Sequence, residues 1–206
     1  MTREVVAIVL AAGASRRMGT PKMVLPWGSR TVIGQVVSVL EDAGVDEIIV
    51  VTGGAEPEIR QALQLHRVHL VKNEGFMAGD MLSSVQTGLT AALDGSALAA
   101  LIVLGDQPQI QAEVVKALLL RWQIAGSAII IPSTQMRRGH PMLLARSLWQ
   151  EVLDLPLTQS LRDFLRSRND WIDYLPVETD SILQDLDTPE DYERQKPVEH
   201  FDPSTR

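Results

Sequence analysis

Apolar and polar positions along the chain alternate between two kinds of block. Short runs rich in apolar and β-branched residues occupy 5–10, 47–52, 68–71, 99–104 and 128–131. Most lack the strict apolar–polar alternation of a sheet that is wet on one face, so they predict strands buried on both sides. Between them, apolar residues recur at helical spacing. Over 31–43 these are Val32, Ile33, Val36, Val37 and Leu40, until Gly44 stops the pattern; 56–65 carries Pro57 in its first turn. Over 82–93 the stripe is Leu82, Val85, Leu89 and Leu93, and 111–125 is also helical. Strand and helix in alternation predict an α/β fold: a three-layer arrangement with a mostly parallel sheet, helices on both faces and right-handed crossovers.

From Met136 the alternation loosens. Pro132 reads as the end of the strand at 128–131, 141–144 and 171–177 read as extended, and 147–153 and 160–167 as helical. The sheet is expected to turn mixed there. No repeat and no linker divides the chain, which predicts one domain over 1–195. The polar segment 196–206, with Pro197 and Pro203, is expected to be a flexible tail.

Composition narrows the function. A chain of 206 residues with 45% hydrophobic content can bury a real core. Its net charge of −7 argues against general nucleic-acid binding. A polyanionic ligand must therefore meet a local cationic patch. The absence of cysteine excludes disulfides, a thiol nucleophile and a cysteine-ligated metal. The first ten residues lack the pattern of a signal peptide and no apolar run is long enough for a bilayer, so a cytoplasmic protein without a membrane partner is expected.

The cationic patch is the segment LAAGASRRMGTPK, residues 10–22. It follows the first strand, contains Gly13 and Gly19, and carries Arg16, Arg17 and Lys22, with no acid between Val5 and Val24. A strand opening into such a loop suits an anion with several charged oxygens, above all phosphate. No Gly-Lys-Ser/Thr closes it and no G-x-G-x-x-G is present, so it is neither a P-loop nor a dinucleotide fingerprint. Ligands of parallel sheets bind beyond the carboxyl ends of strands. Gly105-Asp106 ends the strand at 99–104, and is expected to meet the first loop. Spacing alone leaves Asp106 evenly balanced between a Mg²⁺ ligand and a turn aspartate. Asp185 and Asp187 alternate ahead of Thr188-Pro189, a helix start, and are expected to point the same way. Ser83 and Ser84 fit anion-binding hydroxyls or caps equally well. His140, without a metal-spaced partner, is by itself a structural hydrogen-bonder more often than a catalyst, although Arg137 and Arg138 stand beside it. His66 and His69 are read as structural.

Leu10, Ala11, Ala12, Gly13, Ser15, Arg16, Met18, Gly19 and Lys22 resemble the signature loop of nucleotidyltransferases that transfer NMP from an NTP. The subgroup most resembled contains molybdenum cofactor cytidylyltransferases and related MobA-like proteins. The resemblance implies a Rossmann-like nucleotidyltransferase fold, with a nucleotide-binding part over about 1–132 and an acceptor-binding part over about 133–195. It implies transfer of CMP from CTP to the phosphate of molybdopterin, with release of pyrophosphate and Mg²⁺ as cofactor; a molybdenum enzyme is the partner it adds. Arg16, Lys22 and Asp106 take the catalytic roles. Leu10, Ala11, Ala12, Gly13, Gly53, Asn73, Gly79 and Ser84 bind the nucleotide, Arg138 and His140 the acceptor, and Asp106 and Asp187 the metal. Asp80 stands where the family more usually has an uncharged residue. An ionised acceptor phosphate needs no general base, consistent with the lack of a Ser-His-Asp or Cys-His set. Ala-Ala-Gly in the first loop resembles cytidylyltransferases, whereas guanylyltransferases of the pathway tend to show Ala-Gly-Gly. One departure stands out: 155–165 reads LPLTQSLRDFL, without the G-D-x-G-A-R pattern often found after the family's G-H-P segment. That departure supports an alternative, an NTP transferase acting on a sugar phosphate or other small phosphate. A further alternative is a non-catalytic nucleotide- or pterin-binding accessory protein for a molybdenum enzyme.

Overall fold

The computed structural model describes residues 4–13, 15, 17–78 and 81–198. In chain order the elements are β1 (Val5–Ala11), β2 (Pro26–Trp27), β3 (Arg30–Thr31), α1 (Val32–Asp42), β4 (Glu47–Thr52), α2 (Glu56–Ala62), β5 (His69–Lys72) and α3 (Met81–Ala92). There follow β6 (Ala99–Leu104), α4 (Ala112–Ala125), β7 (Ile129–Thr134), β8 (Arg137–Arg138), β9 (Met142–Ala145), α5 (Trp149–Leu153), α6 (Leu161–Ser167), β10 (Ile172–Pro176) and α7 (Pro189–Gln195).

The main sheet has the order β10-β7-β9-β6-β1-β4-β5, with β8 attached to β7. β1 is parallel to β4 and β6, and β5 extends the parallel set. β9 runs against both β6 and β7, so the sheet becomes mixed in its C-terminal part as the pattern predicts. Side chains alternate between two apolar layers. Ala7, Val9 and Ala11 of β1 face the layer built with α1, α2 and α4. Val6, Ile8 and Leu10 face the one built with α3, α5 and α6. Burial on both faces is why these strands read as apolar runs. The α1 start is fixed by Thr31, whose hydroxyl accepts the Gly34 N–H at 3.1 Å, and α6 and α7 open with capping boxes at Ser160–Asp163 and Thr188–Asp191.

Pro132 does not end its strand. β7 continues to Thr134, pairing in parallel with β10. In a strand the N–H and C=O of one residue point to the same side. The Pro132 carbonyl accepts the Gly139 N–H at 2.9 Å, so its missing donor faces the side where β9, paired only at Ile129 and Ile130, has already ended. No ladder bond is lost. The β2–β3 hairpin, which the hydrophobic pattern does not predict, is two residues on each strand and too short to carry a period. It anchors the C-terminal segment. Trp27, Val32 and Leu186 form a small buried cluster, and the Tyr192 hydroxyl of α7 donates to the Pro26 carbonyl at 2.6 Å. The segment from Leu186 to α7 is thereby fastened to the hairpin.

On the opposite end of the sheet, Arg146 donates to the Gly95 and Ala97 carbonyls at 2.8 and 2.9 Å and also to the Leu93 carbonyl. Its guanidinium lies 5.1 Å from the Trp149 ring. These bonds tie the α3–β6 turn to the start of α5. Arg146→Ala is expected to lower stability by about 1–2 kcal/mol, since hydrogen bonds from a charged donor are lost to carbonyls that water reaches only in part. Urea unfolding should show a lower midpoint with an unchanged slope.

Candidate active site

β1 and β6 lie side by side, while the chain leaving β1 crosses to β4 on the other side of it. This is a topological switch point, where a crevice opens beyond the strand ends. The Gly105 N–H donates to the Leu10 carbonyl at 3.0 Å, which binds the turn after β6 to the end of β1 and sets Asp106 at the crevice.

Lys22 joins the two strand ends to the distant C-terminal segment. The first loop is closed by the Lys22 N–H donating to the Ser15 hydroxyl at 3.1 Å, and a single 3-10 turn over Lys22–Val24 follows. The side chain then turns inward, leaving Lys22 8% exposed. Its ammonium makes a short ion pair with Asp106 Oδ2, donates to the Leu186 carbonyl at 2.9 Å and lies 3.5 Å from Asp187 Oδ1. Arg17, largely exposed, reaches Asp187 Oδ2 at 3.6 Å. Asp106 and Asp187, far apart in sequence, thus converge on one cation at the mouth of the first loop. Arg16 and Gly79, with Asp80, lie outside the described residues, as does the tail from 199.

Asp185 and Asp187 belong to no strand. The segment 184–187 pairs with no described strand and is held instead by the Leu186 N–H donating to the Asp106 carbonyl at 3.1 Å and by Leu186 in its apolar cluster. Asp185 Oδ1 accepts from Gln107 Nε2 at 2.5 Å. Partial burial of the Asp185 carboxyl, followed by the charges of Asp106 and Asp187, pushes it above the usual carboxylate range, against the pull of the Gln107 hydrogen bond.

His140 sits between β8 and β9, with a cis peptide bond to Pro141. Its N–H donates to the Ile182 carbonyl at 3.0 Å. A Cβ on the preceding Gly139 would lie 2.5 Å from that carbonyl oxygen, so the chain passes only as glycine. Burial pushes the His140 imidazole down to about 4, with Asp106 pulling the other way. At neutral pH it presents an uncharged ring within electrostatic reach of Asp106. Arg138 stands apart from this group. It is exposed, donates to Asn169 Oδ1 at 2.7 Å and lies 5.2 Å from the Tyr174 ring, on the β10 side.

The residues expected on the nucleotide side gather at the ends of β1 and β4. Leu10, Ala11 and Ala12 are buried and Gly13 is exposed. Gly53 follows β4, where a Cβ would meet the Ala12 carbonyl at 2.5 Å and the Phe76 ring at 3.0 Å; a side chain there would push the two strand ends apart. Asn73, expected on the base and ribose side, stands just after β5. It is buried, and its amide nitrogen donates to the Ser83 and Ser84 hydroxyls at 3.0 and 3.1 Å. Its oxygen accepts the Gly75 N–H at 2.9 Å. Both amide hydrogens are engaged behind the wall, so Asn73 and Ser84 shape the loop at 74–78 from within. Ser83 and Ser84 lie inside α3, within its first turns.

Gln107 and the Leu186 carbonyl were invisible to sequence reasoning. A glutamine in a turn has no pattern of its own, and a backbone carbonyl has no residue type. Together with Asp106 Oδ2 and Asp187 Oδ1, the Leu186 carbonyl surrounds one ammonium with oxygens. That donor set suits a hard divalent cation such as Mg²⁺. No cluster of three or more metal-binding side chains occurs among the described residues, so phosphate and water would have to complete the coordination. Mg²⁺ sites on nucleoside triphosphates are commonly completed in that way.

A phosphate-suited loop at the switch point of a doubly covered α/β sheet, faced by two convergent carboxylates, defines the nucleotidyltransferase class of enzyme. Residues 7–171 match the family of MobA-like NTP transferase domains, and the chain belongs to that family. It is 27% identical over 188 residues to the molybdenum cofactor cytidylyltransferase of Escherichia coli K12, covering 90% of this chain and 92% of that one. It is 29% identical over 193 residues to nicotine blue oxidoreductase of Paenarthrobacter nicotinovorans, covering 90% and 93%. Among solved structures, Rv0371c of Mycobacterium tuberculosis H37Rv is similar with a TM-score of 0.82 at 29% identity, over 94% of this chain and 98% of that one. Rv0371c has also been solved in complex with manganese. No helix among the described residues is long and apolar enough to cross a membrane.

Proposed function

We propose that this enzyme transfers CMP from CTP to the terminal phosphate of molybdopterin. A phosphate oxygen of the acceptor forms a bond to the α-phosphorus of CTP as the bond to the bridging oxygen breaks, and pyrophosphate leaves. The convergence of Asp106 and Asp187 on a single cation beside the first loop is the observation that carries this reading. Asp106 and Asp187 would hold Mg²⁺, which when bound supplies charge neutralisation for the phosphate oxygens. Lys22, drawn off the carboxylates by the triphosphate, stabilises the charge that develops on the leaving pyrophosphate, and Arg16 is assigned the same part. Positioning and charge carry the reaction; the acceptor phosphate is already ionised and asks for no base. Neutral His140, in the same crevice, is assigned to the acceptor side, and Arg138 to its outer margin.

The base and the acceptor rest on the Ala-Ala-Gly of the first loop and on the E. coli relative's name. Pyrophosphate release from CTP, GTP and ATP, each with Mg²⁺ and molybdopterin, tests the proposal. CTP should be preferred, and mass spectrometry should find CMP joined to the pterin. No release with any of the three overturns it, and release with a sugar phosphate but not with molybdopterin moves the acceptor to that class. The Paenarthrobacter relative favours a second reading, an oxidoreductase on this fold, which would consume a redox co-substrate and release no pyrophosphate. Two carboxylates gathered around one cation favour the transferase, because hydride or electron transfer has no use for them.

A further inference from the structure

We infer that Gln107 is a positioning residue: through its hydrogen bond to Asp185 it holds the 182–187 segment so that the Asp187 carboxylate reaches the Asp106–Lys22 group. The inference rests on the reading above that Asp106 and Asp187 hold the divalent cation. It assigns Asp185 a role distinct from theirs, as the anchor of the segment rather than a ligand.

The segment needs such an anchor. Residues 184–187 join no strand, and Asp187 itself is half exposed, so neither a ladder nor close packing fixes its side chain. Gln107 is rigid. It is 2% exposed, and its carbonyl accepts the Ile110 N–H at 3.2 Å in the turn that leads into α4. A buried amide must find partners. This one donates to Asp185 Oδ1 at 2.5 Å and, more distantly, to the Ile182 carbonyl at 3.4 Å. Both acceptors lie in the C-terminal segment, one within the 3-10 turn Ser181–Leu183 and one just beyond it. The same turn offers the Asp106 carbonyl to the Leu186 N–H. The turn after β6 therefore supplies one carboxylate with Asp106 and, with the next residue, grips the segment that supplies the other. Outer hydrogen-bond partners of this kind orient ligands, and losing one typically costs about 10–100-fold in metal affinity.

Mn²⁺ binding to the nucleotide-free protein, followed by EPR, tests the inference without depending on the identity of base or acceptor. Gln107→Leu and Asp185→Leu should each weaken Mn²⁺ about tenfold, and the double variant should be no weaker than either, as expected for two ends of one bond. Asp185→Asn keeps an oxygen that accepts from Gln107 and should stay within about threefold of the unaltered protein. Asp187→Asn should lose binding more severely than any of these. Asp185 has an exposed face, so its variants report even if Gln107→Leu does not fold. Unchanged affinity in Asp185→Leu, or a loss in Asp185→Asn equal to that in Asp187→Asn, overturns the positioning role. Unchanged affinity in both Asp106→Asn and Asp187→Asn instead overturns the cation site on which it rests.

Discussion

Asp106→Asn is expected to lower kcat/KM for CTP by about three orders of magnitude, the scale on which removal of a preorganised electrostatic group acts. The substitution is chosen to isolate charge. Lys22 is buried, and an alanine would leave its ammonium with only the Leu186 carbonyl and the more distant Asp187. Asparagine still offers an oxygen to the ammonium, and the Asp106 backbone still accepts from Leu186. Far-UV and near-UV circular dichroism should therefore match those of the unaltered protein while pyrophosphate release disappears. Turnover at the normal rate would remove Asp106 from the reaction altogether.

Lys22→Met should act in two directions at once. Turnover is expected to fall about a hundredfold, because the cation that would meet the leaving pyrophosphate is gone. Mn²⁺ binding to the nucleotide-free protein should tighten, by about tenfold. In the structure the Lys22 ammonium sits between Asp106 and Asp187 and neutralises the carboxylates that a divalent ion would use. Taking it away leaves two negative groups in reach of one position, and like charges there favour any cation that can replace it. Isothermal titration with Mn²⁺ in the absence of CTP measures this directly. Weaker or unaltered Mn²⁺ binding in Lys22→Met would mean that the ammonium and the metal do not compete. Tighter binding means that the ammonium and the metal compete for the same carboxylates, so a triphosphate that drew the lysine away would also help the cation to bind.

What the sequence disclosed follows the physics of burial. β1, β4 and β6 are covered on both faces, so their apolar runs could be read to within a residue, and α1 was bounded by Thr31 at its start. β8 and the β2–β3 hairpin pair over two residues each and leave no period to read. Pro132 misled because the rule against proline concerns a lost donor, and here no acceptor faced it. In the site, Lys22, Asp106 and Asp187 stand out through the family resemblance of their segments, because spacing alone leaves Asp106 balanced with a turn aspartate and acids at helix starts are ordinary capping chemistry. Asn73 carries no signal in its residue type, because an amide serves equally well as a ligand contact or as internal bracing. Gln107 and the Leu186 carbonyl depend on how a segment some eighty residues further on folds back, which no local pattern encodes.

The strap that carries Asp187 is fastened at both ends, at Ile182 by the His140 N–H and at α7 by the Tyr192–Pro26 bond, and between them by the bonds of Asp185 and Leu186 to the turn after β6. It begins after every strand of the main sheet is complete. A cut just beyond Pro176 would keep every strand of that sheet in one piece of polypeptide and put the Asp187 carboxylate, with core residue Ile182, in the other.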